Sequence, residues 1–189
     1  MKSQALPPIL RSVTVDLQPE AAFEKFTTGF AEWWPSKTFS IGGPEVTQIV
    51  FEARLGGRIF EEHTDGRRFQ WGLVETWEPP SRVKFKWHPS REFENAQDVE
   101  LEFIPEANGT RVELTASGWE RWGEGAAKAR QGYGMGWAYV LNVFAGRRNA
   151  KMAFLDVMTL GMNFVQKFRG GRAAVIAKSR GEMPPAEEN

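Results

Sequence analysis

The sequence predicts an α+β fold in which an antiparallel sheet wraps around one long helix. Most of its chain consists of segments that alternate apolar with polar residues, as expected of strands with one solvent-facing side. A helical pattern over residues 125–146 follows these strands and carries one aromatic and aliphatic stripe. Strands in series followed by a single long helix are typical of α+β proteins.

The order of the elements can be read along the chain. Residues 9–17 form the first expected strand, and two short helices follow, one beginning at Pro19 and one ending before Pro35. Asp65 and Gly66 form a hairpin turn between two later strands. Six strands are expected after the short helices, at residues 46–54, 58–64, 67–77, 82–87, 99–103 and 111–114.

Composition narrows the class of protein. With 41% hydrophobic and 13% aromatic residues among 189, the chain can bury a large core. Lys plus Arg and Asp plus Glu number 24 each, a balance that argues against nucleic-acid binding. The absence of cysteine excludes disulfides, a thiol nucleophile and thiolate metal ligands.

Neither a secretory signal nor a membrane span is recognisable in the sequence. The first eight residues contain no apolar core of a signal peptide, and no window reaches the roughly 18 apolar residues of a membrane span. We therefore expect a soluble, cytoplasmic protein.

Two regions are predicted, a domain at residues 1–148 and an extension at residues 149–189. The extension carries an apolar helix followed by a polar tail. A helix that is apolar over most of its circumference must dock on its own domain or on another chain. A homodimer through residues 150–168, or a co-chaperone-like interaction module, is therefore one candidate function.

The stripe on the 125–146 helix must face the sheet. It forms either a packed core or the wall of a ligand pocket, and the sequence leaves both open. Gly132 and Gly136 lie one turn apart on this helix and indicate close approach of a strand or a ligand. The stripe consists of Tyr133, Trp137, Val140, Leu141 and Phe144.

A series of short motifs occurs in order over residues 9–147. They are Val13-Thr14-Val15, residues 19–27, Trp33-Trp34-Pro35, Gly56-Gly57-Arg58, Gly72-Leu73-Val74 with Trp77-Glu78-Pro79-Pro80, residues 83–87, residues 110–114, and Gly118-Trp119-Glu120 through Phe144. In order and spacing these motifs resemble the START-like (SRPBCC) superfamily, in its branch similar to activator of heat-shock-protein ATPase homologues.

The resemblance implies a helix-grip fold. In that fold a curved antiparallel sheet, here of about seven strands, grips the long C-terminal helix around a deep pocket. Members of the superfamily bind lipids, polyketides and other apolar molecules, and some are cyclases or hydrolases. The apolar helix after residue 149 departs from the minimal pattern.

The first candidate function is therefore binding of a hydrophobic or aromatic small molecule between the sheet and the helix. Trp33, Trp34 and Phe39 are expected near the pocket mouth, where they form a lid or plug the end of the sheet. Arg54 is a candidate for orienting the ligand. The expected ligand-binding residues are Trp33, Trp34, Phe39, Arg54, Phe69, Trp71, Trp77, Phe85, Trp87, Tyr133, Trp137, Val140, Leu141 and Phe144.

A cyclase or hydrolase on the same fold is another candidate, with Glu75 as its acid or base. If the strand at residues 67–77 alternates regularly, Glu75 shares the inward side with Trp71 and Trp77. Such surroundings favour the protonated form of a carboxyl group. Alternatively, a bulge or twist exposes Glu75, or Arg54 or Arg58 pairs with it.

The sequence predicts no metal site and no cofactor. His63 and His88 lie on separate strands without neighbours at ligand spacing. The stretch from Glu61 to His63 is interpreted as a solvated strand end. Motifs of a nucleophile elbow, a phosphate loop or a dinucleotide site are also missing.

Overall fold

The structure, a computed structural model, describes residues 6–89 and 92–147. Three α-helices lie in this part of the chain, namely α1 (Pro19–Phe26), α2 (Phe30–Trp33) and α3 (Ala126–Phe144). The strands are β1 (Ile9–Val15), β2 (Val46–Phe51), β3 (Arg58–His63), β4 (Arg68–Glu78), β5 (Arg82–Trp87), β6 (Gln97–Glu106) and β7 (Gly109–Ser117).

The seven described strands form one antiparallel sheet in the order β1-β7-β6-β5-β4-β3-β2. Strands β2 to β7 are a meander, and β1 joins the sheet beside β7. The sheet curves, and its covered face packs against the helices. The predicted α+β helix-grip fold, with about seven strands and two short helices after β1, is confirmed.

Strand β4 contains two bulges that interrupt its alternation. Its pairing with β3 skips Trp71, and its pairing with β5 skips Glu75. Each bulge inserts one residue and reverses the sides taken by those that follow. As a result Val74 is buried, whereas a strictly alternating strand would turn it to the outer side.

The C-terminal half of α3 packs into the aromatic core. The Phe144 ring is fully buried, and its centroid lies 5.5 Å from that of Phe26 and 5.0 Å from that of Trp33. Lys25 Nζ donates a hydrogen bond of 2.7 Å to the carbonyl oxygen of Phe144. A lysine at this position satisfies a terminal carbonyl and complements the negative end of the helix dipole.

The predicted boundary at residue 148, the extension at residues 149–189 and the proposed contact through residues 150–168 lie outside the described residues. They remain predictions. None of the helices in the described part of the chain is long and apolar enough to cross a membrane.

A 3₁₀ segment, Trp119–Gly125, connects β7 to α3 and is fixed to the sheet by Arg121. The Arg121 guanidinium donates a hydrogen bond of 2.5 Å to the carbonyl oxygen of Ala96 and one of 2.6 Å to the Asp98 carboxylate. Lys86 also donates to Asp98. Burial acts to raise the pKa of Asp98, but the hydrogen bonds from Lys86 and Arg121 outweigh it and hold this pKa below its usual value.

We expect Asp98→Asn to lower the free energy of unfolding by about 1 kcal/mol at pH 7, a figure discounted for solvent screening. A folded-state pKa below the unfolded value means that Asp98 stabilises the fold above the unfolded pKa of about 3.9. This contribution is lost as the pH falls through the folded-state pKa. Urea unfolding of both proteins from pH 7 downward measures the difference; a deficit that does not shrink on acidification contradicts this assignment.

Candidate functional site

A cavity of about 710 Å³ lies between α3, the inner face of β4 and β5, and the segment after α2. Its volume falls in the range typical of small-molecule sites. The cavity is lined by Trp34, Phe39, Ser40, Ile41, Trp71, Trp87, Pro89, Trp122, Gly125, Lys128, Ala129, Gly132, Tyr133, Gly136, Trp137 and Val140.

Four tryptophans form a continuous aromatic wall of the cavity. The ring of Trp34 lies 5.6 Å from Trp71, 5.5 Å from Trp87 and 6.4 Å from Trp137, measured between centroids. Trp87 also contacts the other two, at 5.7 Å from Trp71 and 5.5 Å from Trp137. Tilted and edge-on contacts at these distances are favourable and pack the four rings against one another.

Small residues on α3 create the space beside this wall. A methyl group added at Gly132 would meet no atom within 4 Å, and one at Gly136 would lie 3.5 Å from Phe39 Cε1. Glycine inside a helix costs about 1 kcal/mol relative to alanine. Gly132 thus opens onto the cavity, whereas a methyl group at Gly136 would make an ordinary van der Waals contact with the Phe39 ring.

The cavity opens to solvent near the start of α3, where Gly125, Lys128 and Gly132 are exposed. Among the described residues of the lining, Lys128 alone carries a charge. In the described part of the chain, no carboxylate oxygen lies within 4.0 Å of its ammonium group. Lys128 is therefore available to an anionic group at the mouth.

The buried carboxyl group of Glu61 holds the loop that forms one side of the cavity. Its oxygens accept hydrogen bonds from the backbone N–H groups of Ile41, at 2.9 Å, and Gly42, at 2.7 Å. The same group is hydrogen-bonded to His63 Nε2 at 2.5 Å. Both side chains are buried, Glu61 at 0% exposure and His63 at 5%.

The interpretation of Glu61 to His63 as a solvated strand end is wrong, because the loop after α2 covers both side chains. Gly42 makes this cover possible: a Cβ atom there would lie 2.3 Å from His63 Nε2. Only glycine allows the loop to approach the imidazole this closely. Nothing in the local sequence of the strand reveals the cover, since the loop lies about twenty residues earlier.

The structure brings seven of the expected ligand-binding residues to the cavity and places the others elsewhere. The seven that line it are Trp34, Phe39, Trp71, Trp87, Tyr133, Trp137 and Val140. Six others are buried or partly buried outside the lining, namely Trp33, Phe69, Trp77, Phe85, Leu141 and Phe144. Arg54 is exposed and pairs with Glu52 at 3.1 Å, so it cannot orient a ligand in this cavity.

The expected inward position of Glu75 is wrong. Glu75 is the extra residue of the second β4 bulge, and its side chain is 34% exposed. Its carboxylate lies 3.6 Å from Lys86 Nζ on the outer face of the sheet. A chemical step on a bound ligand would need another acid or base; Tyr133 and Lys128 are the titratable side chains of the described lining.

Several lining residues were not singled out by the sequence pattern. Trp122 was visible as part of the aromatic stretch before α3, but its position depends on the 3₁₀ segment. Nothing in the sequence marks Gly125 and Ala129 as residues that line a cavity. The remaining members of this group are Ser40, Ile41, Pro89 and Lys128.

We expect Glu61→Ala to lower the free energy of unfolding by about 2–4 kcal/mol, because it leaves two loop N–H groups and His63 without their buried acceptor. Glu62→Ala is the matched control. Its side chain is partly exposed and pairs with Arg68 at 2.8 Å, so its loss should cost less than about 1 kcal/mol. Denaturant unfolding tests both; equal costs would show that the buried contacts of Glu61 do not hold the loop.

Comparison with solved structures places this architecture among known proteins. Protein MLL2253 from Mesorhizobium loti superposes with a TM-score of 0.56 at 17% identity, over 74% of this chain and 95% of that one, and shows the fold alone. Txn09, an anthrahydroquino-γ-pyrone synthase complexed with a compound designated SUM, has a TM-score of 0.54 at 30% identity. That match covers 76% of this chain and 98% of Txn09.

A third similar structure is CalC from Micromonospora echinospora, a self-sacrificing resistance protein. Its TM-score is 0.55 at 27% identity, over 75% of this chain and 93% of CalC. No protein with a curated description matches the sequence. The model of the family described as Activator of Hsp90 ATPase homolog 1-like protein matches residues 16–146. The chain belongs to this family, within the START-like superfamily.

Proposed function

We propose that this protein binds a polycyclic aromatic small molecule in the cavity between the sheet and α3. The observation that carries the proposal is the wall of four tryptophans, Trp34, Trp71, Trp87 and Trp137, around a cavity of about 710 Å³. Flat rings can stack on such a wall or meet it edge-on, whereas a flexible alkyl chain gains no comparable contacts. Burial of apolar ligand area supplies most of the affinity.

Two further observations support an aromatic ligand. Gly132 leaves a gap beside the wall on the helix side, which suits a flat molecule inserted between helix and sheet. Txn09, which is 30% identical, is named for a product with fused aromatic rings. Lys128 at the mouth suits an acidic group at the outer end of the ligand.

The proposal is tested by blocking the cavity from the helix side. Gly132→Leu places a side chain in the space that Gly132 leaves open, and leucine is a better helix former than glycine, so the fold is retained. Ala127→Leu is the matched control, because Ala127 is exposed on the same helix and outside the lining. Anthraquinone-2-sulfonate serves as the aromatic probe and laurate as an aliphatic one.

Binding is followed by quenching of tryptophan fluorescence and by calorimetry. We expect the wild-type chain to bind the aromatic probe at least about tenfold more tightly than laurate. Gly132→Leu should weaken aromatic binding at least about tenfold, and Ala127→Leu should leave it within about twofold. The proposal would be contradicted if the aromatic probe did not bind, or if the two leucine variants bound it equally.

A further inference from the structure

The buried tryptophans of this fold differ in whether their indole N–H group has an acceptor. Trp33 Nε1 donates to the Lys25 carbonyl at 2.8 Å, and Trp119 Nε1 donates to the Ala116 carbonyl at 3.1 Å. Trp34 Nε1 donates to the Phe39 carbonyl at 2.7 Å. The chain thus satisfies these donors from its own backbone, as buried indoles usually require.

Trp71 and Trp137 are exceptions. Both side chains are almost fully buried, at 1% and 3% exposure, and neither Nε1 atom has an acceptor among the described residues. A buried donor without an acceptor costs free energy, and in a native structure it calls for a specific explanation. Both exceptions lie in the cavity lining, and both rings contact Trp34 and Trp87.

We propose that the ligand of this cavity is an oxygenated aromatic, such as a quinone, whose carbonyl oxygens accept hydrogen bonds from the indole N–H groups of Trp71 and Trp137. The inference rests on the proposed function and specifies the ligand class. Both donors belong to the same aromatic wall, and carbonyl oxygens on a flat ring system are suitable acceptors for them. The two N–H groups are covered in the unliganded fold, so the proposal requires each ring edge to turn toward the cavity as the ligand binds.

With this arrangement, the affinity for a ligand depends on whether the ligand carries acceptor oxygen atoms. A ligand without acceptors leaves both donors unsatisfied, whereas one with acceptors relieves a cost that the free protein already carries. A site that hydrogen-bonds its ligand discriminates strongly against analogues that lack the acceptor atom. Apolar contacts discriminate less strongly between ligands of different size. Selectivity between two ligands of equal shape is therefore the property to measure.

The matched probes are anthraquinone-2-sulfonate and anthracene-2-sulfonate. They share the three-ring skeleton and the sulfonate, and they differ by the two carbonyl oxygens. Two hydrogen bonds predict a preference of about tenfold or more for the quinone in the wild-type chain. Trp71→Phe combined with Trp137→Phe should reduce this preference to about twofold or less.

The preference is the ratio of the affinities of one protein for the two probes. Because the double substitution enlarges the cavity for both probes alike, the effect of the added volume cancels in this ratio. Trp119→Phe is the control, because its N–H donates to Ala116 and its side chain lies outside the lining; it should keep the preference. In the wild-type chain, ¹H–¹⁵N spectra should show two indole signals that shift downfield with the quinone and not with anthracene-2-sulfonate. This measurement, like the wild-type ratio, requires no folded variant.

The outcomes separate this inference from the proposed function. Equal binding of both probes by the wild-type chain overturns the hydrogen-bonded subsite and leaves aromatic binding intact. A quinone preference that survives in the double variant also overturns it. Failure of both probes to bind contradicts the proposed function and the subsite together.

Discussion

The packing of α3 against the inner face of the sheet determines both the core and the cavity of this protein. At its C-terminal half, Leu141 and Phe144 fill the space beneath the sheet and contact the aromatic core. Nearer its N-terminus, Ala129, Gly132 and Gly136 are too small to do so. One helix is thus a core element at one end and a cavity wall at the other.

A helix that leaves space beneath it must be held by contacts elsewhere, and backbone carbonyls provide them. Arg130 Nε donates a hydrogen bond of 2.6 Å to the Pro7 carbonyl oxygen, and Arg147 Nη2 donates one of 2.8 Å to the Thr14 carbonyl oxygen. Together with the Lys25 contact at its end, these bonds connect α3 and the residues just after it to the residues before β1, to β1 itself and to α1. They hold the helix without filling the cavity.

The fold was largely predictable because it follows from patterns within each segment. The strand order from β2 to β7 needs only hairpins, and the periodicity of residues 125–146 indicates a long amphipathic helix. The site was less predictable, because its details depend on contacts between distant segments. The bulges at Trp71 and Glu75 have no signature in the local sequence, and the first of them reversed the alternation so that Val74 lies inward and Glu75 outward.

The same reason explains which candidate residues were misplaced. An aromatic residue on an inward face can fill the core or line the cavity, as Phe144 and Trp137 do on one helix. The difference depends on which neighbours are small, and those lie on other turns or other strands. Burial of Glu61 depends on a loop that covers its strand from earlier in the chain.

A crystal structure with a bound aromatic ligand would show directly whether the cavity is a ligand site. We expect flat electron density between α3 and the sheet, in contact with Trp34, Trp87 and Trp137, and an acidic group of the ligand near Lys128. Ligand density at any other surface, or a cavity closed by side chains in the presence of saturating ligand, would contradict this expectation.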